Sequence, residues 1–386
     1  MVTNGFTFLA LLIFIAGVIV ITERRYRGRF FDYLPAIVII YLFIMILSSL
    51  GIWQKTADIE STSRAVKSAI LPAMIFLMLL RCDIRKIVRL GPRILLAFFT
   101  ASLSIAIGFI VTYALFRGRY EPGIWKAFAA LCGSWMGGTG NMVAIQGALS
   151  VSDSQFGYAL LMDSINYAVW VMLLLAMVPF SHRFNAWVRA DTQSIDAIGV
   201  ELMKEQQNKP NEMEFADITI LLGIGLLISA LAQTFSQYLP QNEFITPTTW
   251  TVIIATIAGI LGALTTLAKL PGSDHLSSVM LYILVALIAS QANFNELVEA
   301  PLYIVSGFFI LGIHGLIMLL AARIFKLDLF TCAVASLANV GGIASAPILA
   351  AAYSEVFIPI GVLMAMMGYI VGTGGGLVVG KILSVM

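Results

Sequence analysis

Charge is what this sequence has least of. Asp, Glu, Lys and Arg make up 11% of its 386 residues, less than half of the about 25% usual in soluble domains. A net charge of +2 leaves no basic footprint for nucleic acid. Histidine and cysteine are also scarce, three of each. Cys82, Cys132 and Cys332 are too scattered for metal-ligand spacing and read as small apolar packing residues. No nucleophile elbow, phosphate-binding glycine loop or HExxH zinc motif is present. An intramembrane enzyme would need a paired acid and base, and only Asp163 and His314 lie where such a pair would be sought, so the chain is not expected to be an enzyme.

What is abundant is apolar sequence: 60% of residues, at a mean hydropathy of +0.94. Long apolar runs separated by short charged clusters predict an all-α polytopic membrane protein. Phe6 to Thr22 is apolar, but no basic region precedes it and no small-residue cleavage site follows, so it reads as a retained helix. Arg24, Arg25, Arg27 and Arg29 come after it, which places them in the cytoplasm and the N-terminus outside. Further runs cover roughly 33–52, 68–82, 94–116, 125–149 and 156–180, then 217–238, 249–269, 276–292, 301–324, 329–352 and 356–380. The expectation is about twelve membrane segments, with a first half at 1–180, a polar linker at 181–215 and a second half at 216–386. The linker carries charges from Arg183 to Glu214, too dense for a bilayer span, with a short amphipathic helix expected around Ile195 to Met203.

Two stretches depart from ordinary spanning helices. Gly133 to Leu149 reads GSWMGGTGNMVAIQGAL, with Gly137, Gly138 and Gly140 crowded beside Thr139 and Asn141. Each glycine costs a helix interior about 1 kcal/mol relative to alanine, so a discontinuous helix is predicted near 133–149. Ser336 to Ala352 reads SLANVGGIASAPILAAA and predicts a second break near 336–352. A shift of 202 positions lays Phe128 on Phe330, Ser134 on Ser336, Gly140 on Gly342 and Tyr167 on Tyr369. A weaker match, LRCDIRKIV at 80–88 with SQANFNELV at 290–298, needs a shift of 210. The halves therefore read as a structural repeat. Their relative orientation stays open: Lys269, Arg323, Lys326 and Lys381 favour inverted halves, while six segments per half favour parallel ones.

The run GSWMGGTGNMVAIQ, the following FGYALLMDSINYAVW, the late SLANVGGIASAPILAAA and the basic DIRKIVRLGPR together resemble the domain of unknown function 819 family. That family is grouped with bile-acid, arsenite and riboflavin transporters and, more distantly, with cation–proton antiporters. The resemblance implies secondary transport by a core domain with two crossed, discontinuous helices and a separate panel domain. It supplies no substrate.

The site follows from broken-helix electrostatics. A break exposes unpaired N–H groups at one half-helix and unpaired C=O groups at the other, carrying about half a unit of positive and negative charge. Backbone carbonyls with Thr139, Asn141 and Asn339 form the candidate Na⁺ site, since neutral oxygen ligands suit a hard cation. The candidate ion- or substrate-binding set is Thr139, Gly140, Asn141, Gln146, Asp163, Asn166, Ser336, Asn339, Gly342 and Ser345. Asp163 has no counterpart in the second half, where Ala365 stands. An ionisable residue inside a membrane segment is a functional candidate by default, against the alternative of a hydrogen-bonded carboxylate near the interface. His314, between two glycines, reads as a hydrogen-bonded packing residue. Gln291, Asn293 and Glu296 close a segment, and Ser152-Asp153 and Ser354-Glu355 read as helix N-caps. The functional expectation is Na⁺- or H⁺-coupled transport of a small organic solute, anionic by the helix-end argument, in the cell inner membrane. A cation–proton antiporter is the alternative, with an intramembrane enzyme or a channel less favoured. No cofactor is expected beyond the coupling ion. The expected partners are the bilayer, a solute and, as an open alternative, a second copy in a homodimer.

Overall fold

The computed structural model describes residues 1–25, 36–190, 193–206, 213–242, 245–292 and 300–386. Arg27, Arg29, Asn293 and Glu296 lie outside them. No strand occurs among the described residues, only an isolated bridge between Val2 and Trp53. The first half contributes α1 (Gly5–Arg25), α2 (Ala36–Ser49), α3 (Ala57–Leu79), the short α4 (Ile84–Val88), α5 (Gly91–Phe116), α6 (Trp125–Gly137), α7 (Thr139–Leu149) and α8 (Asp153–Met177). Next come α9 (Ser181–Val188) and α10 (Gln193–Gln206). The second half has α11 (Phe215–Ser236), α12 (Pro247–Gly262), α13 (Ser273–Ala289), α14 (Ala300–Phe325), α15 (Leu329–Val340), α16 (Gly342–Tyr353) and α17 (Ile358–Ser384).

Local chemistry sets the boundaries. Pro92, Pro247 and Pro359 sit in first turns, where the missing N–H is least costly. Thr56 caps α3 by accepting from Ile59 N. The helix therefore starts well before the apolar run at 68, its first turns carrying Asp58, Glu60 and Arg64. Ser152 caps α8 through Gln155 N, as its sequence suggests, whereas Ser354 makes no side-chain cap. In the linker, α10 buries Ile195 and Leu202 against the second hydrophobic cluster, which includes Ile87 and Phe330. Seven helices among the described residues are long and apolar enough to cross a membrane, with α2, α12, α13, α15 and α16 shorter.

Contacts between helix ends fix the orientation of the halves. Arg81, just past α3, pairs with Asp274 at the start of α13 at 3.0 Å. At the other end, Trp53 Nε1 and Ser48 Oγ donate to Ser290 O, just past α13. So α3 and α13 run antiparallel. On α5 and α14, Ser104 meets His314, Gly108 packs on Ile310, Phe116 meets Phe309 and Tyr120 bonds Ser306. Numbers rise on one helix as they fall on the other, so this pair is antiparallel too. The halves are inverted.

The glycine-rich stretches answer the counting conflict. The chain does not continue through either break; it turns back. Gln155 Nε2, beyond α7, donates to Pro122 O, before α6. Gly380 on α17 faces Trp125, Ala129 and Leu149 together, the start of α6 and the end of α7. In the second half, Phe330 at the start of α15 stacks near Tyr353 at the end of α16, centroids 5.4 Å apart. Each pair is a hairpin that returns to the end it started from. The expectations of about twelve crossings and of crossed discontinuous helices are corrected accordingly. A run of about twenty apolar residues can span or fold back equally well by length, so composition does not separate the two. Lys381 also moves: Arg323 and Lys326 lie at the end of the bundle holding Trp187 and Phe330, whereas α17 carries Lys381 to the opposite end, beside Arg117.

Candidate functional site

The two hairpin tips meet. Gly138 ends α6 with φ 84° and ψ 171°, a region open essentially only to glycine. Gly342 begins α16 at φ 61°, and a methyl group placed on it would stand 3.8 Å from Gly138 Cα. Tyr369 of α17 packs on Gly138, and Tyr167 of α8 packs on Gly341. These tyrosines are equivalent in the repeat, and each supports the tip of the other half. The first hairpin is anchored by small residues on α17, where Gly368, Gly372 and Gly376 let its backbone approach that of α6.

Beside the tips lies a cavity of about 270 Å³. Its floor is Gly138, Thr139 and Gly140 from one tip and Gly341 to Ala344 from the other. Met74 and Met78 of α3 and Leu281 of α13 supply apolar wall. Among the described residues Asp163 is the charged side chain lining it, with hydroxyls from Ser134, Ser164, Ser277 and Ser278 and the two tyrosines. Trp135 Nε1 donates to one carboxylate oxygen of Asp163 at 2.9 Å, and Ser134 Oγ to the other at 3.3 Å. Both donors sit on α6, within a turn of the tip. Ser164 Oγ is buried without a partner.

Of the expected residues, Thr139, Gly140, Asp163 and Gly342 line this cavity and the others do not. Asn141 accepts from Thr373 Oγ1 at 2.5 Å and donates to Gly137 O at 2.6 Å, tying the first hairpin to α17. Asn339 accepts from Ser102 Oγ at 2.7 Å and donates to Ala335 O, tying the second hairpin to α5. Each amide oxygen accepts a hydrogen bond from another helix, and neither amide joins Thr139 in lining the cavity. Gln146 donates to Val151 O at the end of α7. Asn166 donates to Ile304 O, against Gly307. Ser345 is buried behind Gly341, its hydroxyl without a partner. Ser336 accepts from Trp170 Nε1 at 2.8 Å and shares a 2.7 Å bond with His314 Nε2. His314 Nδ1 meets Ser104 Oγ at 2.6 Å, and the imidazole is fully buried. Both of its ring nitrogens are thus held by serine hydroxyls.

Among the described residues no three His, Cys, Asp or Glu side chains gather as a metal cluster, and all three cysteines are buried and free. Sequence reasoning missed Ser164, Ser277, Ser278 and the methionines, which are unremarkable in apolar runs. Tyr167 and Tyr369 are visible in the sequence only as a repeat identity.

An all-helical chain with several bilayer-length apolar helices is a multi-pass membrane protein. The chain belongs to the family described as protein of unknown function DUF819, which it matches over residues 10–386. It is also similar to the uncharacterized membrane protein YjcL of Bacillus subtilis (strain 168), 22% identical over 359 residues that cover 87% of each chain.

Proposed function

We propose that this protein is a secondary active transporter that moves a small organic solute by alternating access, with H⁺ or Na⁺ carried on Asp163. The observation that carries the reading is the meeting of two hairpin tips, one from each inverted half, beside a cavity lined by a half-buried carboxylate. Inverted repeats with interrupted helices at the midplane supply two states that exchange the roles of the halves. In this reading α1, α2, α3, α5 and α8 cross the bilayer, as do α11, α12, α13, α14 and α17, and the hairpins enter from opposite faces. The end carrying Arg81, Arg85, Lys86, Arg89 and Lys326 faces the cytoplasm. The helices α1, α2, α11 and α12 gather around α3 and α13 and act as the panel, while the hairpins with α5, α8, α14 and α17 act as the core. A second reading, cation–proton antiport, is favoured by Asp163 being the acid that lines the cavity. Among the described residues lining the cavity no acid is paired with a base, and the reading includes no enzymatic step.

The test uses purified protein in sealed proteoliposomes under an imposed H⁺ or Na⁺ gradient, with ion flux recorded. Wild type should show ion flux and Asp163→Asn should lose it, with unchanged size-exclusion behaviour. Wild-type flux and ion dependence in Asp163→Asn would remove Asp163 from the mechanism.

A further inference from the structure

The cavity is electrically lopsided in a way that specifies cargo. Among the described residues, the side chains lining it include Asp163 and neutral hydroxyls but no Lys, Arg or His. A bare anion in this space would meet a carboxylate with no side-chain cation to offset it, so the anionic solute expected from helix ends alone does not fit the lining. The helix ends are nevertheless present. α7, with 11 residues, and α16, with 12, both begin at the tips and direct their N-termini to the cavity floor. The first N–H groups of a helix have no intrahelical partner and carry about half a positive charge, a ready anion seat. Asn141 N is taken by Gly138 O, which leaves Thr139 and Gly140 in the first turn of α7. An independent observation points to a ligand there: Ser164 Oγ lines the cavity, in a residue only 4% exposed, and has no hydrogen-bond partner. A buried hydroxyl left unpaired is costly, and a bound polar group would satisfy it.

The spacing joins the two features. Ser134, which holds Asp163, is also the residue whose carbonyl accepts from Gly138 N at the tip. Carboxylate and tip are thus separated along α6 by roughly one helical turn, ~5.4 Å. The cavity volume of about 270 Å³ falls at the small end of ligand pockets, which start near ~300 Å³.

Resting on the transporter reading above, we infer that the cargo is a small zwitterion, an amino acid or short-chain amino carboxylic acid, with its ammonium group replacing the transported H⁺ or Na⁺ on Asp163 and its carboxylate on the backbone N–H groups of the paired hairpin tips, completed by Ser164. Asp163 and the tips then each find the opposite charge within one molecule, and the apolar wall of Met74, Met78 and Leu281 takes the side chain.

The experiment is ligand-induced thermal stabilisation of the full-length protein in detergent. The probes are the standard amino acids, β-alanine and γ-aminobutyrate, each beside its decarboxylated amine and its deaminated acid, such as alanine, ethylamine and propionate. At least one zwitterion should stabilise the protein, with both analogues binding about tenfold or more weakly. Asp163→Asn should erase the preference for the zwitterion over the deaminated acid, while Asp163→Glu retains it. Ser164→Ala should weaken the zwitterion further than the amine. Unliganded melting and monodispersity confirm that each variant is folded. Equal binding of an amine or an acid to its parent zwitterion overturns the inference, as does no stabilisation by any zwitterion. If the panel fails while Asp163-dependent ion flux persists in proteoliposomes, the transporter reading stands and only the cargo inference falls; if both fail, both fall.

Discussion

Replacing Gly138 with alanine tests the hairpin tip at its most constrained point. At φ 84° and ψ 171° the residue occupies backbone space that L side chains avoid, at a cost of about 1–3 kcal/mol. Collision is a minor part of this, since the added methyl would meet Tyr369 Cε1 at 3.4 Å, close to ordinary contact. The loss should therefore be backbone strain. Gly342→Ala, at φ 61° and with its methyl 3.8 Å from Gly138 Cα, should cost about 1–2 kcal/mol. Gly140→Ala is different in kind: its φ is not positive, its methyl meets the flexible end of Met78, and helix propensity favours alanine by about 1 kcal/mol. The repeat pairs Gly140 with Gly342 and so predicts like behaviour; the backbone predicts unlike behaviour. Denaturant unfolding in detergent, without added ions or solutes, reads the differences. Gly223→Ala on α11, with nothing within 4 Å of the new methyl, is the control and should be neutral or better. Gly138→Ala as stable as Gly223→Ala would refute the tip geometry.

Two further outcomes follow from packing. Asn141→Ala should cost about 1–3 kcal/mol by stranding the Thr373 hydroxyl while leaving the ion dependence of transport in place, because its amide ties the hairpin to α17; flux titrations of ion concentration against the unfolding midpoint separate the two effects. Gly368→Ala should lose about 1–3 kcal/mol, because its methyl would meet Met136 O at 2.7 Å and Gly137 Cα at 3.1 Å, both backbone; Gly374→Ala, with open space around it on the same helix, should not.

The helices were legible where apolar runs were long, because a bilayer demands that pattern of almost any sequence. The start of α3 was not, since its first turns carry Asp58, Glu60 and Arg64 and only the Thr56 cap announces the helix. The glycine clusters marked both breaks. Their path was illegible because whether a chain crosses or returns is decided by distant packing, such as Gly380 against Trp125 and Leu149. Asp163 stood out as an acid in an apolar run and does line the cavity. Asn141 and Asn339 stood out for the same reason and do not line it, because Thr373 and Ser102, far away in the chain, take their oxygens. Polar residues in a membrane segment announce that a partner exists without saying which. The inverted halves were half legible: the charges favoured them and the segment count opposed them until each hairpin was seen to return.

The most direct measurement is the sidedness of the hairpin mouths. Arg119 and Ser150 flank the first hairpin, and Lys326 and Glu355 flank the second; all four are exposed. Single cysteines at these positions, in a chain whose own cysteines are buried, are exposed to a membrane-impermeant maleimide from each side of sealed vesicles of known orientation. The account predicts that Arg119→Cys and Ser150→Cys react from one side, and Lys326→Cys and Glu355→Cys from the other. Reaction of Arg119→Cys and Ser150→Cys from opposite sides would mean that the first glycine-rich stretch crosses the bilayer, and would contradict the paired-hairpin site on which the transport reading rests.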